Sequence, residues 1–267
     1  MDEETKVIQL LDADRHERSK RIGWLDFEAI ESAKVLVVGA GALGNEVIKN
    51  LVLSGFRKIS LVDMDYIVLS NLNRCVFFTP SDADERRAKV DVVAEGALRL
   101  VPDAEIKCYT SRIEEIGGDF IPSHDLVFGC LDNLITRVHV NTKCYNSGTP
   151  YIDGGTNGFR GKVQVITGKK GEACFGCGLN RTHWQIMEKR FSCTGDDVFV
   201  FEDKIPAEIT TTAVVSALQV RESLKIISGE DDKVLDNVWH YDGIKGESFT
   251  MEIPFRESCP CHMQESE

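Results

Sequence analysis

With 267 residues, 42% of them apolar and 28% charged, the chain is long for one domain and short for two, which favours one large α/β domain. No apolar run is long enough to span a membrane, and the polar, acidic stretch MDEETKVIQLLDADRHERSK has no apolar signal-peptide core, so a cytoplasmic protein is expected. Thirty-one Lys and Arg against 43 Asp and Glu leave a net charge of −12, which argues against general nucleic-acid binding and suits a basic protein partner or plain solubility.

Residues 1–34 read as a helical arm outside any sheet. From Lys34 to about Val165, strand-like and helix-like segments alternate: strand 35–38, helix 44–54, strand 58–62, helix 84–100, strands 105–110 and 125–130, helix 134–147, and strand 150–153. That alternation predicts a doubly wound, mostly parallel Rossmann-like sheet. Tyr151–Gly154 and Gly161–Thr167, joined across Thr156-Asn157-Gly158, read as a change to antiparallel strands. Residues 180–208 show no clear period and predict a long loop, which in a compact domain is more often functional than not. Thr210-Thr211-Thr212 can cap a helix over Ala213–Ile227, stopped by Gly229, with Val214, Leu218 and Leu224 facing the core. Two closing strands, near Val238–Tyr241 and Ser248–Ile253, lead to a cysteine-rich tail, and no internal repeat is present. The whole is read as one domain over 1–267.

Two stretches carry chemistry. The first strand runs straight into Gly39-Ala-Gly41-Ala-Leu-Gly44. In that context two glycines permit a tight turn and close backbone approach to a nucleotide, the third lets helix pack on strand, and the helix N-terminus attracts negative charge. The second strand ends at Asp63, placed for a ribose hydroxyl, with Asp65 beside it as a ligand or a turn cap. A dinucleotide dehydrogenase shares all of this but has no need of Asn71 and Arg74 just beyond, where they can reach a triphosphate. The second stretch is a pair of cysteine knuckles, Cys174-Phe-Gly-Cys177 and Cys259-Pro-Cys261-His262. Four thiolates from two such knuckles suit a structural zinc ion, with Cys261 favoured over His262 as the fourth ligand. Cys108 and Cys130 sit in apolar strands and read as packed thiols.

The run DMDYIVLSNLNR, with YIDGGTNGFRG at 151–161, resembles the enzymes that activate ubiquitin and ubiquitin-like proteins. Within that superfamily it is similar to the catalytic subunits for NEDD-type and UFM-type modifiers, and the bacterial enzymes that adenylate sulfur-carrier proteins belong to it too. The similarity runs from about residue 15 to 262. It implies ATP and Mg2+ as cofactors beside Zn2+, a small ubiquitin-like substrate ending in glycine, a downstream conjugating enzyme, and a homodimer. It implies that Asp63 holds the ribose and that Arg74 and Lys89 stabilise departing pyrophosphate. The linker SDADERRA before Lys89 is about two residues longer than that pattern, so Arg86 or Arg87 can share the role. Asp132 of the pair Asp132-Asn133 would bind magnesium, although the pair also suits a helix N-cap. Among the arm residues Arg15, Arg18 and Arg21, Arg15 aligns best with the arginine that such dimers send into the partner's site. Cys193, in the irregular segment, matches the cysteine that takes the modifier as a thioester; a thiolate attacks an acyl-adenylate and leaves a transferable ester. The alternatives are a sulfur-carrier adenylyltransferase, which needs no thioester, and a non-catalytic nucleotide-binding partner subunit.

Overall fold

The computed structural model describes residues 14–184 and 206–262. Its frame is an eight-stranded sheet in the order β3-β2-β1-β4-β5-β6-β7-β8. The strands are β1 (Lys34–Val38), β2 (Lys58–Val62), β3 (Glu105–Tyr109), β4 (Leu126–Gly129), β5 (Tyr151–Asn157), β6 (Arg160–Ile166), β7 (Val238–Asp242) and β8 (Glu247–Met251). β1 pairs parallel with both β2 and β4, β2 with β3, and β4 with β5. From β5 onward every pairing is antiparallel. This is the doubly wound sheet with antiparallel continuation that the residue pattern predicts.

The apolar strand runs explain the centre. Val35, Leu36 and Val37 are wholly buried because helices cover both faces of β1, as a parallel sheet requires. One face packs Val35, Val37, Leu61 and Phe128 against α2 (Ala42–Ser54), α4 (Lys89–Leu100) and α6 (Ile209–Ile227). The other packs Leu36, Val38, Val127 and Tyr151 against α5 (Leu134–Ser147). The helix after β1 and the helix after β4 thus lie on opposite faces. The strand order reverses between these two strands, and the crevice at their carboxyl ends is where open α/β sheets bind ligands.

Several elements depart from expectation for local reasons. The helix expected over 84–100 is two: α3 (Pro80–Asp84) and α4. Thr79 and Asp82 form a reciprocal capping box at the start of α3, with Pro80 at its first turn. Arg86 then adopts φ 51, which ends the short helix and lets Lys89 open the next. β5 runs to Asn157, longer than expected, and the turn into β6 is made by Gly158 at φ 57. α6 begins before the threonines rather than after them. Glu208 is its N-cap, and its carboxylate accepts from the Thr210 and Thr211 N–H groups and from both hydroxyls. Consequently Val214 is 37% exposed and Val215 takes the core position, with Leu218 and Leu224 facing inward as expected. The described part of the arm, from residue 14, holds a 3-10 turn at Ser19–Arg21 and α1 (Phe27–Ser32), capped by Asp26. No helix among the described residues is long and apolar enough to cross a membrane.

Candidate nucleotide and metal sites

The glycine turn is held from three sides. Gly39 adopts φ +102, and a Cβ there would collide with the Cys130 carbonyl at the end of β4. A Cβ on Gly44 would collide with the Gly39 carbonyl, so helix α2 can start this close to the turn only with glycine. A Cβ on Gly41 would meet nothing within 4 Å, so this side of the turn is open. The Gly39 N–H donates to the Val62 carbonyl (2.8 Å), and the Ala40 N–H donates to Asp63 Oδ2 (2.7 Å).

Asp63 stands where β2 ends, and its other oxygen accepts the Asp65 N–H at 2.8 Å. Burial pushes its carboxyl above the usual carboxylate range, and Lys89 and the two N–H donors pull against that. Lys89 opens α4 with its side chain only 12% exposed and its ammonium 2.7 Å from Asp65 Oδ2. Burial alone would lower it, but the charges of Asp63 and Asp65 outweigh burial and raise it, so it is a firmly charged cation. Arg74 lies on the same rim, with its guanidinium donating to the Ser70 carbonyl and to Asn73 Oδ1 (3.0 Å). The Asn71 carboxamide accepts from the Val68 N–H at 3.1 Å and shapes the turn that carries Arg74. Neither Arg86 nor Arg87 joins Lys89: Arg86 is exposed, and Arg87 is paired with Asp82 (3.0 Å) and Glu95.

Across the crevice, Asn133 rather than Asp132 caps α5, accepting the Thr136 N–H at 2.8 Å. Asp132 is exposed just past the carboxyl end of β4, a position that suits a cation bound jointly with phosphate oxygens. Arg15 lies elsewhere. It acts on His16 and Asp103, beside the starts of β2 and β3, at the end of the sheet opposite Asp63. Five strand residues separate the two ends, about 15 Å, so Arg15 does not join the Asp63–Lys89 group of its own chain. Cys193 lies outside the described residues.

The second cluster gathers Cys174, Cys177, Cys259 and His262, whose donor atoms all lie within 4.8 Å of one another. Cys174 Sγ is 3.9 Å from Cys177 Sγ and 3.8 Å from Cys259 Sγ, the edge length of roughly 3.8 Å that a tetrahedron of 2.3 Å Zn–S bonds demands. His262 Nε2 is 3.1 Å from Cys174 Sγ and 3.6 Å from Cys177 Sγ. Its ring is stacked between Tyr145 (4.2 Å) and Phe255 (5.0 Å), which fixes the imidazole edge toward the thiols. Cys261, the fourth ligand favoured on sequence, is buried next to Gly176 and falls outside this group of four. The 3-10 turn Pro260–His262 brings the histidine to the cluster, while the Cys261 sulfur lies beside that of Cys259 over Gly176.

A protein-family model described as the ThiF family matches residues 13–261. The chain belongs to the ThiF family. It is 39% identical over 158 residues to the SUMO-activating enzyme subunit 2 of Dictyostelium discoideum, covering 58% of this chain and 23% of that protein. It is 38% identical over 168 residues to the NEDD8-activating enzyme E1 catalytic subunit of Caenorhabditis elegans, covering 58% of this chain and 38% of that protein. The matches thus span about a quarter to two fifths of these relatives' length. Among solved structures, E. coli MccB with ATP superposes with a TM-score of 0.73 at 17% identity, over 98% of this chain and 82% of that one. That likeness concerns the fold alone.

Around this ThiF-family crevice the fold uses polar residues that sequence reasoning did not single out. Arg137, on α5, donates from Nε to Asp153 Oδ1 (2.9 Å), from Nη2 to Oδ2, and from Nη2 to the Gly154 carbonyl (3.3 Å). Asp153 is wholly buried and also accepts from the Tyr151 hydroxyl at 2.9 Å. A Cβ on Gly155 would lie 2.9 Å from Arg137 Nη2, which explains the second glycine of the pair. Gln219, buried on α6, donates to the carbonyls of Gly129 (3.1 Å) and Ile152 (3.0 Å) and ties the end of β4 to β5. The available signal was a charged or amide side chain inside an otherwise core-facing segment, which becomes informative only when its partner across the sheet is known.

Proposed function

We propose that this chain activates a ubiquitin-like protein by ATP-dependent adenylation of its C-terminal glycine. The observation that carries the reading is the crevice itself. An open glycine turn, Asp63 at the end of β2 and a half-buried cation at Lys89 face Asp132 across the strand-order reversal. Adenylation needs little more than this, because the nucleophile is already a carboxylate and the barrier lies in the charge that builds on the phosphates.

In this mechanism the Gly39–Gly44 turn and the α2 N-terminus receive the phosphates, and Asp63 accepts the ribose hydroxyls. The substrate's terminal carboxylate passes Gly154-Gly155-Thr156, and its oxygen attacks the α-phosphorus. The bond to the bridging oxygen breaks and pyrophosphate leaves. Lys89 and Arg74 lie where that negative charge accumulates, and an Arg15 from a second copy would add to it. Asp132 would hold magnesium, which neutralises phosphate charge when bound. The Cys193 thiolate would then attack the acyl carbon, releasing AMP and forming a thioester for a conjugating enzyme. The similarity to SUMO- and NEDD8-activating subunits favours this modifier branch over the sulfur-carrier branch. The three cysteines with His262 would hold a structural zinc that ties the last strands to α5.

The test is intact-protein mass spectrometry of wild-type and Cys193→Ala chains after incubation with Mg-ATP and native cell extract. A thiol-labile adduct of roughly 8–10 kDa, the size of a single small folded domain, is expected on wild type alone. An adenylated small protein with no adduct on Cys193 would move the assignment to the sulfur-carrier branch. The absence of both would leave a non-catalytic partner subunit.

A further inference from the structure

The glycine turn and the Arg74 segment come from different parts of the chain, and one buried side chain joins them. Asn45, in the first turn of α2, is wholly buried. Its Nδ2 donates to the carbonyls of Ala40 (2.9 Å) and Gly41 (3.0 Å), and its Oδ1 accepts the Phe77 N–H at 3.1 Å. An amide in this setting has its donors and acceptor satisfied by backbone alone, so it acts as a three-way brace between two stretches of main chain.

Each strut ends on a part of the crevice. The Ala40 peptide is gripped from both sides, its N–H by Asp63 and its carbonyl by Asn45, and the next residue is the open-faced Gly41. Phe77 lies three residues past Arg74, within a turn closed by the Phe78 N–H on the Cys75 carbonyl (3.2 Å). The Phe77 ring in turn packs on Gly96 of α4, the helix that Lys89 opens. Resting on the adenylation reading above, we infer that Asn45 is a positioning residue: it sets the spacing between the phosphate-receiving turn and the two cations opposite it. It touches no substrate; its effect is carried by main chain at Ala40, Gly41 and Phe77.

This assignment separates from a general packing role because the brace bears on the phosphate half of the nucleotide. The experiment is isothermal titration calorimetry of Mg-ATP and of adenosine with the full chain, comparing wild type, Asn45→Ala and Asn45→Ser, with thermal unfolding followed in parallel. The serine hydroxyl can still donate to the Gly41 carbonyl four residues back while the struts to Ala40 and Phe77 are lost, so it serves if the alanine variant does not fold. The expected result is an ATP affinity lowered by about tenfold, the worth of one or two hydrogen bonds, with adenosine affinity within about twofold of wild type. Equal loss of ATP and adenosine, or an unchanged ATP affinity in a folded variant, overturns the assignment and leaves the adenylation reading standing. A wild-type chain that binds no ATP overturns both.

Discussion

The sharpest energetic consequence of the structure is the buried pair formed by Arg137 and Asp153. Replacing Arg137 by Met keeps an unbranched apolar stem but removes three donated hydrogen bonds and the guanidinium that lies 4.9 Å from the Phe175 ring. Each such charged bond is worth about 1.5–3 kcal/mol in isolation, but two of the three share the Asp153 carboxylate and the third goes to the Gly154 carbonyl, so they do not add. The greater cost is the stranded charge: Asp153, at zero exposure, keeps only the Tyr151 hydroxyl as a side-chain donor. Breaking such a pair from one side costs about 3–5 kcal/mol, against a total stability of about 5–15 kcal/mol. For a chain of this size that is a fall in Tm of roughly 6–10 °C. The double variant Arg137→Met with Asp153→Asn removes the stranded charge, keeps a partner for Tyr151, and is expected to recover at least about half of the loss. Urea unfolding of the wild type, both singles and the double measures these costs directly. The reasoning is refuted if Arg137→Met costs less than about 1 kcal/mol, or if the double variant is no more stable than Arg137→Met.

Two further outcomes follow from the same geometry. Purified Cys261→Ser protein should retain about one zinc per chain by plasma mass spectrometry, while His262→Ala should lose most of it, because the imidazole completes the tetrahedron and the Cys261 thiol stands beside it; the reverse pattern would restore the four-cysteine set. Glu208→Ala should destabilise the fold by about 1 kcal/mol at neutral pH, a value held near that of an ordinary cap because the carboxylate is partly exposed. Hydrogen bonds from the Thr210 hydroxyl and the Thr210 and Thr211 N–H groups draw the Glu208 carboxyl down from 4.5 to about 2. Its folded value being depressed, the unfolded chain binds the proton first. The contribution is therefore complete above pH 4.5 and is lost as pH falls toward about 2. Unfolding curves at pH 7, 4 and 3 should show the gap between variant and wild type closing; a gap that stays constant sinks the cap.

Much of the crevice was legible from residues alone, because its parts obey local rules. Gly39, Gly41 and Gly44 follow a run of Val and Leu that can only be a buried strand, and Asp63 follows the next one. Strand ends and helix starts are properties of short segments, so their order along the chain already places the glycine turn and Asp63 at one edge of a parallel sheet. The cysteine knuckles were legible for the same reason, as close pairs with a chemistry of their own. What the residues by themselves determined was therefore the fold class, the crevice and the donor types.

Tertiary structure decided which of those residues meet. It gathered His262 with Cys174, Cys177 and Cys259, its imidazole clamped between Tyr145 and Phe255, more than a hundred residues apart. It split the helix before Lys89 at Arg86, moved the start of α6 back to Glu208, and put Arg15 at the far end of the sheet from Asp63. It also enlisted Asn45, Arg137 and Gln219, whose partners Phe77, Asp153 and Gly129 are remote in sequence. A hydrogen bond across packed elements leaves no period and no spacing in the chain. Its existence depends on an orientation that only the closed core imposes.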